Sequence, residues 1–120
     1  MLNRRVAVTG YGALTSLGEN ANESWQSIMD GKVGYDKLEM ENKDIKARYF
    51  AFLRDNKTRY RVIPKPILRC LPAFAKNTLV VAREAIEMAF GNPELISSYY
   101  TPHQCGVIIG TGWGGVGRGL

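Results

Sequence analysis

VAVTGYGALTSLG, residues 6–18, starts as an apolar run, breaks into glycines and does not resume as a strand. A second stretch, GVIIGTGWGG at residues 106–115, has the same design. An apolar run that ends in glycine is typical of a short buried strand followed by a tight turn. The two stretches therefore predict strands over Arg4–Thr9 and Val107–Ile109, and the role of their glycines has to be explained.

Two helices are predicted between these strands. The first follows the capping-box pair Asn20 and Glu23 and should end at Gly31. The apolar residues on one side of this helix are Trp25, Ile28 and Met29. The second is an interior helix over Pro72–Phe90, because its apolar residues recur at three- and four-residue steps and Gly91 follows it.

The segment from Val33 to Arg61 is polar and poorly periodic, so it predicts a loop with room for one short edge strand. Pro64 and Pro66 should prevent any helix from passing through that point. The order of strand, helix, loop, long helix and strand predicts an α/β fold with a parallel sheet.

Composition limits the class of protein. The chain has 120 residues and is 45% hydrophobic, which is enough for one small core. No apolar run approaches the roughly 18 residues that cross a bilayer. The two cysteines, Cys70 and Cys105, do not make a disulfide framework, so we expect a reduced, cytoplasmic protein.

The net charge of +5 is concentrated in one basic segment. Its basic residues are Lys43, Lys46, Arg48, Arg54, Lys57, Arg59, Arg61, Lys65 and Arg69, against the acids Asp44 and Asp55. Such a segment attracts an anionic partner, with nucleic acid as one possibility, or forms a solvated surface that keeps the protein soluble.

The glycines of the second stretch are also compatible with a dinucleotide-binding site. Residues 110–115 satisfy GxGxxG after a predicted strand, as in modules that hold a pyrophosphate on a helix N-terminus. No helix and no ribose-binding acid follow before Leu120, and neither stretch has the Gly-Lys-Ser/Thr of a phosphate-binding loop. A dinucleotide-binding module therefore ranks only third among the candidate functions of this chain.

The sequence RRVAVTGYGALTSLG, residues 4–18, resembles the amino terminus of β-ketoacyl-acyl carrier protein synthases. Trp25 within the next helix, and Gly31 and Gly34 after it, fit the same family. The pair Ala73-Phe74 in the long helix and the stretch GVIIGTGWGG fit it as well. The resemblance extends from about residue 4 to residue 115 and is weaker over residues 35–61.

The resemblance implies a thiolase-like fold, in which two similar βαβ-built halves pack as a five-layered sandwich. Residues 1–120 would form the amino-terminal part of the first domain and not a complete domain, with a variable loop at about residues 35–61. The opening glycines would permit a tight turn at the end of a buried strand, with a positive φ that Tyr11 or Leu14 could not accept.

The resemblance also implies a condensing enzyme of fatty acid or polyketide synthesis, which joins an acyl group to malonyl-acyl carrier protein with decarboxylation. Its nucleophilic cysteine and two histidines are expected beyond residue 120, since Cys70, Cys105 and His103 match none of their motifs. The 120-residue segment alone should be inactive, and the family implies no cofactor and no metal. The alternative is a catalytically silent, chain-length-factor type subunit of a heterodimer.

Three residues are candidates for sites by the same resemblance. Arg69 aligns with a basic residue that docks the acidic carrier protein, and Lys65 lies close to another, whereas Cys70 and Pro72 depart from the pattern. Trp113 corresponds to a residue at the deep end of the acyl pocket, or packs in the dimer core. The implied partners are acyl carrier protein and a second ketosynthase chain, as homodimer or heterodimer, with neither nucleic acid nor membrane.

Overall fold

The structure, a computed structural model, describes residues 5–39 and 41–112 and has two compact units. The first unit consists of Met1–Gly12 and Tyr60–Leu120, and the second unit is Ala13–Arg59. The described residues contain both helices and strands, which is compatible with the predicted α/β class. In the described part of the chain, no helix has the length and apolar character to cross a membrane.

Helix α1, Ala21–Met29, is the helix of the second unit. The side-chain oxygen of Asn20 accepts a hydrogen bond from the Glu23 amide at 2.8 Å, and the Glu23 carboxylate accepts one from the Glu19 amide at 2.9 Å. Gly31 has a φ of 70°, which a glycine adopts without strain. The predicted start and stop signals of this helix are confirmed.

The buried side of α1 is polar. Ser24 and Ser27 are its buried residues: the hydroxyls of Ser24 and Thr15 lie 2.8 Å apart, and the Ser27 hydroxyl donates to the carbonyl of Leu17 at 2.9 Å. The side chains of Trp25, Ile28 and Met29 are exposed. The loop of residues 15–18 therefore packs on the serine side of α1 through hydrogen bonds, while the apolar side is uncovered.

A small hairpin forms in the segment predicted to be a loop. Strands β1, Asp36–Lys37, and β2, Tyr49–Phe50, pair antiparallel with Asp36 opposite Phe50. The rings of Tyr35 and Tyr49 contact edge to face with centroids 5.5 Å apart, which is a favourable aromatic geometry. The prediction of one short edge strand is therefore nearly right, since two strands of two residues are present.

The first unit contains helices α2, Lys65–Cys70, α3, Ala73–Phe90, and α4, Ile96–Tyr99. The long predicted helix is confirmed to within one residue, with Pro72 as its N-cap and Gly91 ending it at a φ of 76°. Helix α2 was not predicted, because Pro64 and Pro66 start this helix rather than only interrupting one. A proline suits the first turn, where its missing N–H has no helical partner.

The two predicted strands and their parallel sheet are absent from the described residues. Arg5–Thr9 and Val107–Ile109 have no strand structure, and their apolar side chains are open to solvent, with Val6 93% and Ile108 100% exposed. Strands form as hydrogen-bonded pairs, and β1 with β2 is the pairing that the described chain contains. The prediction that α3 is an interior helix is also wrong here, because none of its residues is fully buried.

The opening glycines allow a close approach to α3. A Cβ atom on Gly10 would overlap the carbonyl oxygen of Ala85 and lie 3.1 Å from the Ala89 Cβ. A Cβ on Gly12 would overlap the carbonyl oxygen of Val81. Neither glycine has a positive φ, so the expected positive-φ turn is wrong. These positions need glycine because the backbone lies directly against a helix.

Replacing Gly10 by alanine should destabilise the protein, because the new methyl group must displace the backbone of α3. We expect a loss of about 1–3 kcal/mol, the usual cost of overpacking. The measurement is urea unfolding of the protein expressed from its complete reading frame. Gly106→Ala is the matched control, since a Cβ there meets nothing within 4 Å. Equal unfolding midpoints for the two variants would contradict the close approach.

Candidate functional site

Helix α2 carries both predicted docking residues. Pro64 precedes the helix and its carbonyl accepts a hydrogen bond from the Leu68 amide at 2.9 Å. Pro66 lies in the first turn, and Arg69 lies in the last turn, where a cation interacts favourably with the helix dipole. The proline-rich sequence therefore starts α2 and fixes where its charged residues lie.

The apolar side of α2 faces α3. Ile63, just before α2, is the buried hydrophobic residue of the described chain, at 6% exposure. A groove of about 290 Å³ lies between the two helices, with Ile67 on the α2 side and Leu79 and Ile86 on the α3 side. Ile67 of α2 and the apolar residues of α3 therefore line the same groove.

Lys65 and Arg69 lie on one face of α2. They are four residues apart, which places their side chains next to each other on a helix surface, whereas Ile67 lies on the opposite face. Both residues are exposed. Within residues 5–39 and 41–112, no carboxylate forms an ion pair with either of them. Two adjacent cations that no acid neutralises are suited to an anionic partner.

The structure does not bring the other residues considered in the sequence together into one site. Cys70 ends α2 and Cys105 lies far along the chain, and both are free, exposed thiols. His103 is exposed in the 3₁₀ turn Pro102–Gln104. The described part of the chain has no group of His, Cys, Asp and Glu side chains arranged for a metal ion. The predicted acyl-pocket residue, Trp113, lies outside the described residues.

A partly buried ion pair in the second unit was not predicted from the sequence. The Arg59 guanidinium donates two hydrogen bonds to the Glu19 carboxylate, from Nε at 2.7 Å and Nη2 at 2.6 Å. The Arg59 side chain is only 8% exposed, so this member of the basic segment is not a solvated charge. Hydrogen bonding to Arg59 lowers the pKa of Glu19 from its ordinary value, against a smaller opposing effect of burial.

The family model described as "Beta-ketoacyl synthase, N-terminal domain" matches residues 3–118. This match covers nearly the whole chain. The chain belongs to the β-ketoacyl synthase family. The resemblance seen in the opening glycine stretch is therefore confirmed.

Curated relatives agree with this assignment. The chain is 31% identical over 114 residues to a 3-oxoacyl-[acyl-carrier-protein] synthase 2 of Staphylococcus aureus (strain COL), covering 95% of the chain and 27% of the relative. It is 28% identical over 114 residues to the protein of the same name from Synechocystis, and the match covers 94% of the chain and 26% of that relative. The chain thus spans about a quarter of the length of these relatives. No solved structure matches it.

The Glu19–Arg59 pair should make the free energy of unfolding depend on pH. Because the pKa of Glu19 is lowered in the folded state, the stabilisation is fully present above the ordinary glutamate pKa of about 4.3. It is lost as the pH falls through the lower, folded-state pKa. Glu19→Gln should therefore cost about 1–3 kcal/mol at pH 7, and this difference from the wild type should shrink below pH 4.

The measurement is urea unfolding of the protein from its complete reading frame between pH 7 and pH 3. Glu41→Gln serves as the control, because Glu41 is an exposed glutamate. A difference between wild type and Glu19→Gln that stays constant over this range would show that the ion pair does not stabilise the fold.

Proposed function

We propose that this chain is the amino-terminal part of a condensing enzyme of fatty acid synthesis. The enzyme joins an acyl group to malonyl-acyl carrier protein with loss of carbon dioxide. Family membership supports this proposal, as do relatives named 3-oxoacyl-[acyl-carrier-protein] synthase 2.

The proposed fold is the thiolase-like five-layered sandwich, of which residues 1–120 form part of one domain. The exposed apolar stretches at residues 5–9 and 107–109 support it, because such sequences are stable as strands only when neighbours cover them. In the sandwich both stretches would gain hydrogen-bonded neighbours and helices on their faces. The variable loop would be the segment of about residues 35–61.

The proposed reaction has two stages, and its nucleophile and histidines lie outside this chain. A cysteine thiolate first takes the acyl group from its carrier thioester, and the carrier thiol leaves. Malonyl-carrier protein then loses carbon dioxide, and the resulting enolate attacks the acyl-cysteine. A carbon–carbon bond forms, and the cysteine thiolate is released. What this chain contributes is a surface for the carrier protein that delivers both substrates.

The exposed pair Lys65 and Arg69 on one face of α2 is the observation that carries this assignment. A carrier protein with an acidic surface would be attracted by two adjacent, unneutralised cations. Such an interaction lies at the protein surface, so it weakens when salt screens charges beyond about 10 Å at 0.1 M. We therefore expect carrier binding, but not chemistry, to depend on this pair.

Reversing both charges, as Lys65→Glu with Arg69→Glu, should raise the apparent KM for carrier-bound substrate roughly tenfold. Two surface charges of about 0.7 kcal/mol each give a factor of this size. Turnover of a small thioester that carries no carrier protein should change less than about twofold. The measurement is steady-state kinetics of the protein from its complete reading frame with both substrates.

The matched control is Lys43→Glu with Lys46→Glu, which changes the net charge equally at two other exposed lysines. This control should leave the KM for carrier-bound substrate near the wild-type value. Equal effects of both double variants would mean that net charge, and not the α2 face, attracts the carrier. Loss of activity on both substrates would reveal a damaged fold.

A further inference from the structure

We propose that Tyr60 is a positioning residue for carrier-protein docking, acting through its hydrogen bond to Asn77 on α3. This inference rests on the proposed function of Lys65 and Arg69. Tyr60 need not touch the carrier protein: it fixes the segment from which α2 starts.

The contact of Tyr60 with α3 is specific. Its hydroxyl donates to the Asn77 side-chain oxygen at 2.8 Å across seventeen residues of sequence. The Lys76 ammonium lies 5.9 Å from the centroid of the Tyr60 ring, within the range of a cation–π interaction. Two neighbouring residues in the first turns of α3 thus hold one tyrosine, one by its hydroxyl and one by its ring.

The segment from Tyr60 to α2 is short and hydrogen-bonded. The Tyr60 carbonyl accepts a hydrogen bond from the Ile63 amide at 3.0 Å, which closes a turn. Ile63 is buried and is followed directly by Pro64, whose backbone conformation is restricted. The Pro64 carbonyl accepts the hydrogen bond from Leu68 in the first turn of α2. A fixed Tyr60 therefore fixes the start of α2.

Helix α2 depends on such an anchor. It has six residues, no side-chain hydrogen bond at its N-cap, no acidic residue in its first turn and no buried residue. A helix this short is unstable by itself, because the nucleation cost exceeds what a few hydrogen bonds return. The position of α2, and with it the position of Lys65 and Arg69, is thus maintained by the contacts before α2 rather than by burial of α2 itself.

Loss of the anchor should weaken docking without changing the charges. If α2 moves more freely, the carrier protein must order it on binding, and that ordering reduces affinity. Tyr60→Phe removes the hydroxyl that bonds Asn77 and keeps the ring beside Lys76. Asn77→Ala removes the acceptor of the same hydrogen bond.

The test is a double-mutant cycle in the protein from its complete reading frame. We expect Tyr60→Phe and Asn77→Ala each to raise the apparent KM for carrier-bound substrate about three- to fivefold, with kcat nearly unchanged. The double variant should be no worse than the more affected single variant, since both remove one interaction. Turnover of a carrier-free thioester should stay within twofold. Tyr100→Phe is the control, because its exposed ring contacts Phe90 instead.

Three results would overturn the inference: an unchanged KM in both single variants, effects that multiply in the double variant, or equal losses with the carrier-free thioester. The variant Lys65→Glu with Arg69→Glu separates this inference from the proposed function. If that variant raises KM and Tyr60→Phe does not, only the role of Tyr60 fails. If neither variant raises KM, the docking function itself fails.

Discussion

The first unit depends on helix α3 as a packing surface. Gly10 and Gly12 bring the backbone of the opening segment against the carbonyls of Ala85 and Val81, where any side chain would collide. Nearer its start, α3 holds Tyr60 through Asn77. One long helix thus contacts both the opening glycine segment and Tyr60, which precedes the short helix that carries Lys65 and Arg69. A regular helix can do this because its geometry is set largely by local hydrogen bonds.

Local signals in the sequence predicted the ends of α1 and α3 well. The Asn20 cap and the glycines at Gly31 and Gly91 act through bonds and backbone angles within a few residues, so the sequence contains the necessary information. The strands at residues 5–9 and 107–109 were predicted from apolar character, but strand formation requires partners that the described chain does not supply. The glycine role was also missed, because a close approach to α3 is a long-range contact that no local pattern reveals.

In the basic segment, too, the local sequence does not reveal which residues make long-range contacts. Its composition predicted an anionic partner or a solvated surface, and Lys65 and Arg69 are indeed exposed on one face of a helix. Arg59 belongs to the same run but is buried against Glu19, forty residues away in sequence. Charge alone could not separate these cases, since the partner of a buried arginine is determined by the fold. Family resemblance pointed to Lys65 and Arg69, which lie on one face of α2, and their role in docking stays a prediction.

The central claim is that the α2 surface receives the carrier protein, and photo-crosslinking tests it most directly. Cys70, next to Arg69, and Cys105 are both exposed, so each can be replaced by p-benzoylphenylalanine in the protein from its complete reading frame. The account predicts a light-dependent adduct with acyl carrier protein from position 70, diminishing as salt rises, and little adduct from position 105. No adduct from position 70, or equal adducts from both positions, would contradict it.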